Sequence, residues 1–198
     1  MKKYQIIYAD PPWPYTGNEV LAKVSRLTKK ENYHYKTMTM EDIKNFPIQK
    51  ISDENCLLFL WVVSPSLDDG IDVMKAWGFE YATIAFVWHK KRINPGYYTL
   101  SICELCLVGK KGKIPQSRGK RNIEQFLSDL KTEHSKKPAE VRERIKAMFP
   151  TQTKIELFAR PNPQNNLYGE NTFDGWDVWG NEIESDIEIT PRACLRQE

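Results

Sequence analysis

Asp10 closes an apolar run, YQIIYA (4–9), and is followed at once by Pro11, Pro12 and Trp13. Each proline fixes its φ at about −65° and carries no N–H. The turn after the run is therefore stiff and rich in acceptors: the Asp10 carboxylate and the proline carbonyls. Trp13 adds a flat apolar face beside them. Acceptors next to a flat face suit a planar group that bears an NH₂ donor, such as the exocyclic amine of adenine. The lone pair of that nitrogen is delocalised into the ring, so it is a weak nucleophile. Two acceptors holding its hydrogens draw it toward tetrahedral geometry and free the lone pair, while an aromatic ring holds the base by stacking. Asp and Pro are also ordinary turn residues, so these four positions alone leave a plain turn open.

Other chemistry-bearing residues are sparser. Cys56, Cys103, Cys106 and Cys194 include one CxxC, in the apolar run SICELCLVG. Residues three apart on a strand face opposite ways, a poor geometry for a shared metal. No second pair exists, and His34, His89 and His134 are scattered. Buried structural thiols are the expectation, and no metal site. Charge is uneven. From His89 to Arg121 there are nine Lys or Arg (90, 91, 92, 110, 111, 113, 118, 120, 121) against one acid, Glu104. Such a segment suits a phosphate-bearing partner, although for one charge run taken alone a solvated loop is the favoured reading.

Several elements must position these groups. Apolar runs at 4–9, 56–63, 81–88, 102–109, 154–159 and 176–180 read as strands, most of them continuous and so buried on both faces. Helical stretches fall between them. Thr39 and Asp42 form a capping box before TMEDIKNF. Ser64 and Pro65 open SPSLDDGIDVMKAW, which Gly70 weakens. Pro138 opens PAEVRERIKAMF, with Val141, Ile145 and Met148 on one stripe. The alternation predicts an α/β domain over 1–183, with a mainly parallel sheet, helices on both faces and a loose tail at 184–198. Residues 14–37, 89–101 and 110–135 read as long loops. In such sheets ligands bind beyond the carboxyl ends of the strands, which is where Asp10 falls.

With 198 residues and 40% hydrophobic content, the chain can form one core. No run reaches the roughly 20 apolar residues of a membrane span. The apolar stretch before Asp10 is too short for a signal peptide. A cytoplasmic protein with no membrane association is expected.

DPPW after an apolar strand resembles the catalytic motif of amino-methyltransferases that use S-adenosylmethionine. HYKTM (34–38), FLWV (59–62), CLVGKKG (106–112), HSKKP (134–138), KIELFAR (154–160) and GWDVWGNE (175–182) occur in the order of one branch, the MT-A-seventy family of adenine methyltransferases. The resemblance spans about residues 4–182. It implies a Rossmann-like methyltransferase fold in circularly permuted order, with the catalytic strand first and the cofactor strands last.

The resemblance also assigns roles. Asp10 holds the target amine and borders the cofactor; Pro11 offers its carbonyl to the same amine. Pro12 sets the turn, Trp13 stacks on the adenine, and Tyr35 closes the adenine pocket. Lys110, Lys111 and Arg118, in the basic segment, are the candidates for holding a nucleic-acid backbone. On the cofactor side, Lys137 pairs with the methionine carboxylate and Phe158 packs on the cofactor adenine. Arg160 and Asn162 border it, and Asn181 and Glu182 take the ribose hydroxyls. The last pair lies about 20 positions beyond Phe158, the separation used in dinucleotide folds. The stretch PNPQNNLYGENTFD (161–174) is longer than this family's pattern leads one to expect.

The function so implied is transfer of methyl from S-adenosylmethionine to N6 of adenine in DNA, in a restriction-modification setting of bacterial or phage type. DNA is favoured over RNA because the chain is short and shows no appended zinc fingers. An RNA adenosine methyltransferase and a catalytically silent nucleic-acid-binding subunit are the alternatives. The intact DPPW argues against the silent subunit. Assembly as a homodimer, or with a partner subunit, is left open by the sequence.

Overall fold

The computed structural model describes residues 1–14, 37–94, 98–128, 137–160 and 173–189, with backbone alone at 91–94. Seven strands make one sheet: β1 (Tyr4–Ala9), β2 (Ser52–Val63), β3 (Glu80–Asn94), β4 (Ser101–Lys111), β5 (Phe126–Ser128), β6 (Lys154–Leu157) and β7 (Asp177–Trp179). Their spatial order is β5-β3-β4-β2-β1-β6-β7. β1 runs parallel to β2 and β6, β6 to β7, and β3 to β5, while β4 is antiparallel to β2 and β3. Every strand except β4 therefore ends at the same edge. The first strand of the chain sits between β2 and the late strand β6, which places the Asp10 turn beside the ends of β6 and β7.

The sheet is covered on both faces, and alternation along β2 shows how. Cys56, Leu58, Leu60 and Val62 join Ile43, Val73 and Met74 from helices α1 (Met40–Lys44) and α2 (Leu67–Ala76). Leu57, Phe59 and Trp61 join Val141 and Ile145 of α3 (Ala139–Met148) on the other face. Period-two alternation of uniformly apolar residues is what a strand buried on both faces requires. In β1 the register shifts between Tyr4 and Ile6. Tyr4 accordingly packs on the α1/α2 face while Ile6 packs on the other.

The expected Thr39 cap forms: its Oγ accepts from the Asp42 N–H at 3.1 Å. Three expectations need correction. Ser64 does not cap the second helix. Ser64–Ser66 forms a 3-10 turn, and α2 begins at Leu67. Residues 89–94 are not loop but the continuation of β3, and the loop expected at 110–135 contains the added edge strand β5. The segment expected as a loose tail is held as far as Ile189. The Asp186 N–H donates to the Val178 carbonyl, the Val178 N–H donates to the Asp186 carboxylate, and Ile189 is buried. Gly70, expected to weaken its helix, is required by packing. A Cβ there would lie 2.4 Å from Cγ1 of Val62. No helix among the described residues is long and apolar enough to cross a membrane.

Candidate active site at the carboxyl edge

The turn leaving β1 is tight. The Trp13 N–H donates to the Pro11 carbonyl at 2.8 Å, and the Met38 N–H to the Pro12 carbonyl at 3.0 Å. The Pro11 oxygen keeps one lone pair for another donor. Trp13 is fixed by its ring N–H, which donates to the Trp61 carbonyl at 2.9 Å. Trp61 is itself fixed, donating from its ring to the Tyr8 hydroxyl at 2.7 Å. The aromatic wall thus hangs on the backbone of the neighbouring strand rather than on the turn alone.

Asp10 does not stand by itself. The Lys137 ammonium, just before α3, donates to both Asp10 oxygens at 2.7 Å. It also lies 3.2 Å from Glu104 of β4 and 5.5 Å from the centre of the Trp61 ring. Glu104 pairs in turn with Lys90 of β3 at 2.9 Å. Four charges therefore alternate in sign along one line: Asp10, Lys137, Glu104, Lys90. α3 precedes a strand parallel to β1, so its start lies at the carboxyl edge, which is how Lys137 reaches Asp10.

Burial sets the electrostatics. It raises the Asp10 carboxyl above its ordinary value, and the neighbouring ammonium of Lys137 offsets only part of this. Burial also disfavours charge on Lys137 and Glu104, but their partners prevail. Asp10 and Glu104 hold the lysine above its usual value, and Lys137 and Lys90 hold Glu104 below its own. A carboxylate with raised proton affinity beside a fixed cation can accept N–H bonds and then a proton.

On the other side of the turn, β6 and β7 end in close backbone contact. A Cβ at Gly180 would lie 2.3 Å from the Ala159 carbonyl oxygen. Phe158 leaves β6 with φ of 60°, the left-handed region that usually needs glycine. Its ring is held by Trp179 at 5.5 Å and Phe46 at 5.1 Å. Asn181 and Glu182 follow β7 and are exposed. This donor set fits S-adenosylmethionine: an ammonium for a carboxylate, aromatic faces for an adenine, and an amide and a carboxylate for ribose hydroxyls.

Asp10, Pro11, Pro12, Trp13, Lys137, Phe158, Arg160, Asn181 and Glu182 all fall at this edge. Tyr35 and Asn162 lie outside the described residues. Lys110, Lys111 and Arg118 are not brought to it. Lys110 and Lys111 end β4 at the opposite edge, where Lys110 lies 3.5 Å from Glu80 and Lys111 donates to the Ser52 hydroxyl at 2.8 Å. Arg118 packs on the Phe149 ring past the far end of α3. Sequence reasoning assigned no role to Glu104, Lys90 or Trp61. The signal for Glu104 was its isolation as the one acid among nine cations.

Comparison with known proteins agrees with this geometry. A family model described as MT-A70 matches residues 4–182, from the first residue of β1 to just beyond β7. The Type II methyltransferase M.MunI from Mycoplasma sp is 42% identical over 200 residues, covering 95% of this chain and 82% of that protein. The N(6)-adenosine-methyltransferase MT-A70-like protein of Drosophila melanogaster is 26% identical across 98% of this chain and 29% of its own length. The human N(6)-adenosine-methyltransferase catalytic subunit METTL3 is 26% identical, over 98% of this chain and 30% of its own length.

Proposed function

Because the chain belongs to the MT-A70 family of S-adenosylmethionine-dependent methyltransferases, we propose that it methylates the N6 amine of adenine in DNA. The observation that carries the reading is the Asp10–Lys137 pair at the carboxyl edge, next to the Pro11 carbonyl and the fixed Trp13 ring. DNA is preferred because identity to the Type II methyltransferase is 42%, against 26% to the adenosine methyltransferases.

Bound S-adenosylmethionine supplies an electrophilic methyl group. The chain's own residues do the rest. Asp10 and the Pro11 carbonyl accept the two amine hydrogens, which localises the nitrogen lone pair. Trp13 holds the base by its face. Once nitrogen carries the methyl group it becomes acidic, and Asp10 or water takes the proton. Lys137 holds Asp10 oriented and presents positive charge to the cofactor carboxylate. Its three N–H bonds serve Asp10 and Glu104, so pairing with the cofactor exchanges one of those contacts. In a duplex the adenine must first leave the stack, at a cost of about a few kcal/mol.

The test is transfer of labelled methyl from S-adenosylmethionine to unmethylated genomic DNA and, in parallel, to total RNA, with the modified nucleoside identified. N6-methyldeoxyadenosine is expected. Label confined to RNA would replace DNA as the acceptor. Cofactor binding without label in either would leave a silent subunit.

A further inference from the structure

β3 and β4 outrun the rest of the sheet. β2 pairs with β4 only as far as Val63 opposite Glu104. β3 and β4 stay paired to His89 and Cys103 and pair again at Asn94 and Ser101, after a register shift that sets residues 90–93 of β3 against Ile102 alone. The three residues from Glu104 to Ser101 span about 10 Å of strand. A two-stranded arm therefore stands out from the edge that carries Asp10. Near its end Tyr98 is 101% exposed and Leu100 61% exposed. A tyrosine ring fully in water contributes nothing to the core, so stability does not account for it. The root of the arm, by contrast, is fixed. Lys90 on β3 pairs with Glu104 on β4, Glu104 with Lys137, and Lys137 with Asp10. The β3 side of the arm carries Lys91 and Arg92 next to Lys90, a local excess of positive charge that suits a polyanion.

We propose that this arm is a duplex wedge: Tyr98, backed by Leu100, enters the base stack and fills the space left by the flipped adenine. The inference rests on the DNA reading above. A flipped base loses its stacking, and the gap it leaves would otherwise collapse or fill with water. A flat apolar ring restores stacking with the neighbouring bases whatever their sequence, as apolar wedges do in other DNA-bending proteins. A base turned out about its backbone lies beside the gap it has left. An arm rooted at the pocket and reaching outward therefore meets that gap. The ion pairs at the root set the distance between wedge and Asp10.

The experiment compares methyl transfer to the same unmethylated genomic DNA as duplex and after heat denaturation, for wild type, Tyr98→Ala and Tyr98→Trp. Thermal unfolding and sedimentation are measured on each protein. Tyr98→Ala is expected to lose about tenfold or more on duplex, the scale of one lost stacking contact. It should keep wild-type transfer to denatured DNA and its unfolding temperature. Tyr98→Trp should keep both activities. Equal loss on the two DNA forms, or no loss on duplex, overturns the wedge. So does a loss that follows a change from dimer to monomer, which would make the arm a subunit contact. Wild type that labels neither form of DNA overturns the DNA reading, and the wedge with it. An active wild type with an indifferent Tyr98→Ala overturns the wedge alone.

Discussion

Replacing Glu104 by Gln tests the line of alternating charges most directly. The change keeps the shape and removes one negative charge from between Lys90 and Lys137, which lie 2.9 Å and 3.2 Å from its oxygens. All three side chains are 8–13% exposed, so solvent screens them little. Removing one member of a buried pair costs about 3–5 kcal/mol, because the other charge is left uncompensated. Two features reduce this. The amide oxygen still accepts from one ammonium, worth about 1 kcal/mol, and Lys137 keeps Asp10. A loss of about 2–4 kcal/mol remains, which in a domain of this size lowers the unfolding temperature by about 2–4 °C per kcal/mol.

The pH dependence separates charge from shape. Glu104 has its pKa depressed in the fold by Lys137 and Lys90, which outweigh burial. Its stabilising contribution is therefore fully present above the unfolded glutamate value of about 4.3 and is lost as pH falls through the lower folded value. Glutamine has no such titration. Asp10 titrates in both proteins and largely cancels in the comparison. Thermal unfolding of wild type and Glu104→Gln, followed by circular dichroism from neutral to acid pH, should show a gap at pH 7 that closes below the usual glutamate value. Equal unfolding temperatures at pH 7 would refute the reasoning, as would a gap that persists unchanged into acid.

Asp10→Ala should lower methyl transfer by about 10³-fold, the scale of losing a group that acts on the transition state, while calorimetry shows cofactor binding largely intact. Total loss of cofactor affinity in the folded variant would mean Asp10 serves the cofactor instead. Lys137→Met should weaken S-adenosylmethionine binding by about tenfold to a hundredfold, the value of a charge-assisted hydrogen bond; unchanged affinity would remove Lys137 from the cofactor site. Gly70→Ala would gain about 1 kcal/mol of helix propensity. Its Cβ would meet Val62 at 2.4 Å, and overpacking costs about 1–3 kcal/mol, so a lower unfolding temperature is expected and a higher one would show that α2 can shift.

The legible parts of the fold are those where burial on two faces writes a continuous apolar run. The runs around 4–9, 56–63, 81–88, 102–109, 154–159 and 176–180 correspond to β1, β2, β3, β4, β6 and β7. β5 was not legible. Its three residues, with Phe126 and Ser128 exposed and only Leu127 buried, owe their conformation to pairing with β3. The packing need for glycine at position 70 was not legible for a related reason, since helix propensity is a local preference while the closeness of Val62 is tertiary. The MT-A70 family was legible from its blocks in order. What neighbours Asp10 was not. Glu104 reaches the carboxyl edge beside Asp10 only because β4 is antiparallel to β2 and in register with Val63, and strand direction is not written in β4 itself.

The same antiparallel strand explains why a charge run in sequence is not a charged patch in space. Glu104 and Lys111 both belong to β4, yet seven residues of strand separate them by about 23 Å. The basic segment from 89 to 121 therefore divides. Lys90 lies at the carboxyl edge, spent on Glu104, while Lys110 and Lys111 lie at the amino edge with Glu80 and Ser52. Screening at physiological salt acts over about 8 Å, so charges at one edge do little for an anion held at the other. A nucleic acid bound at Asp10 must draw its contacts from residues that the sheet delivers to the carboxyl edge. Among described residues that edge is short of uncommitted cations, because Lys137 and Lys90 already serve carboxylates. The electrostatics there are consequently local and directional, suited to orienting one amine and one cofactor. Grip on a long polyanion would have to come from segments reaching beyond the sheet, and among the described residues the β3–β4 arm is tied to Asp10 through Glu104 and Lys137.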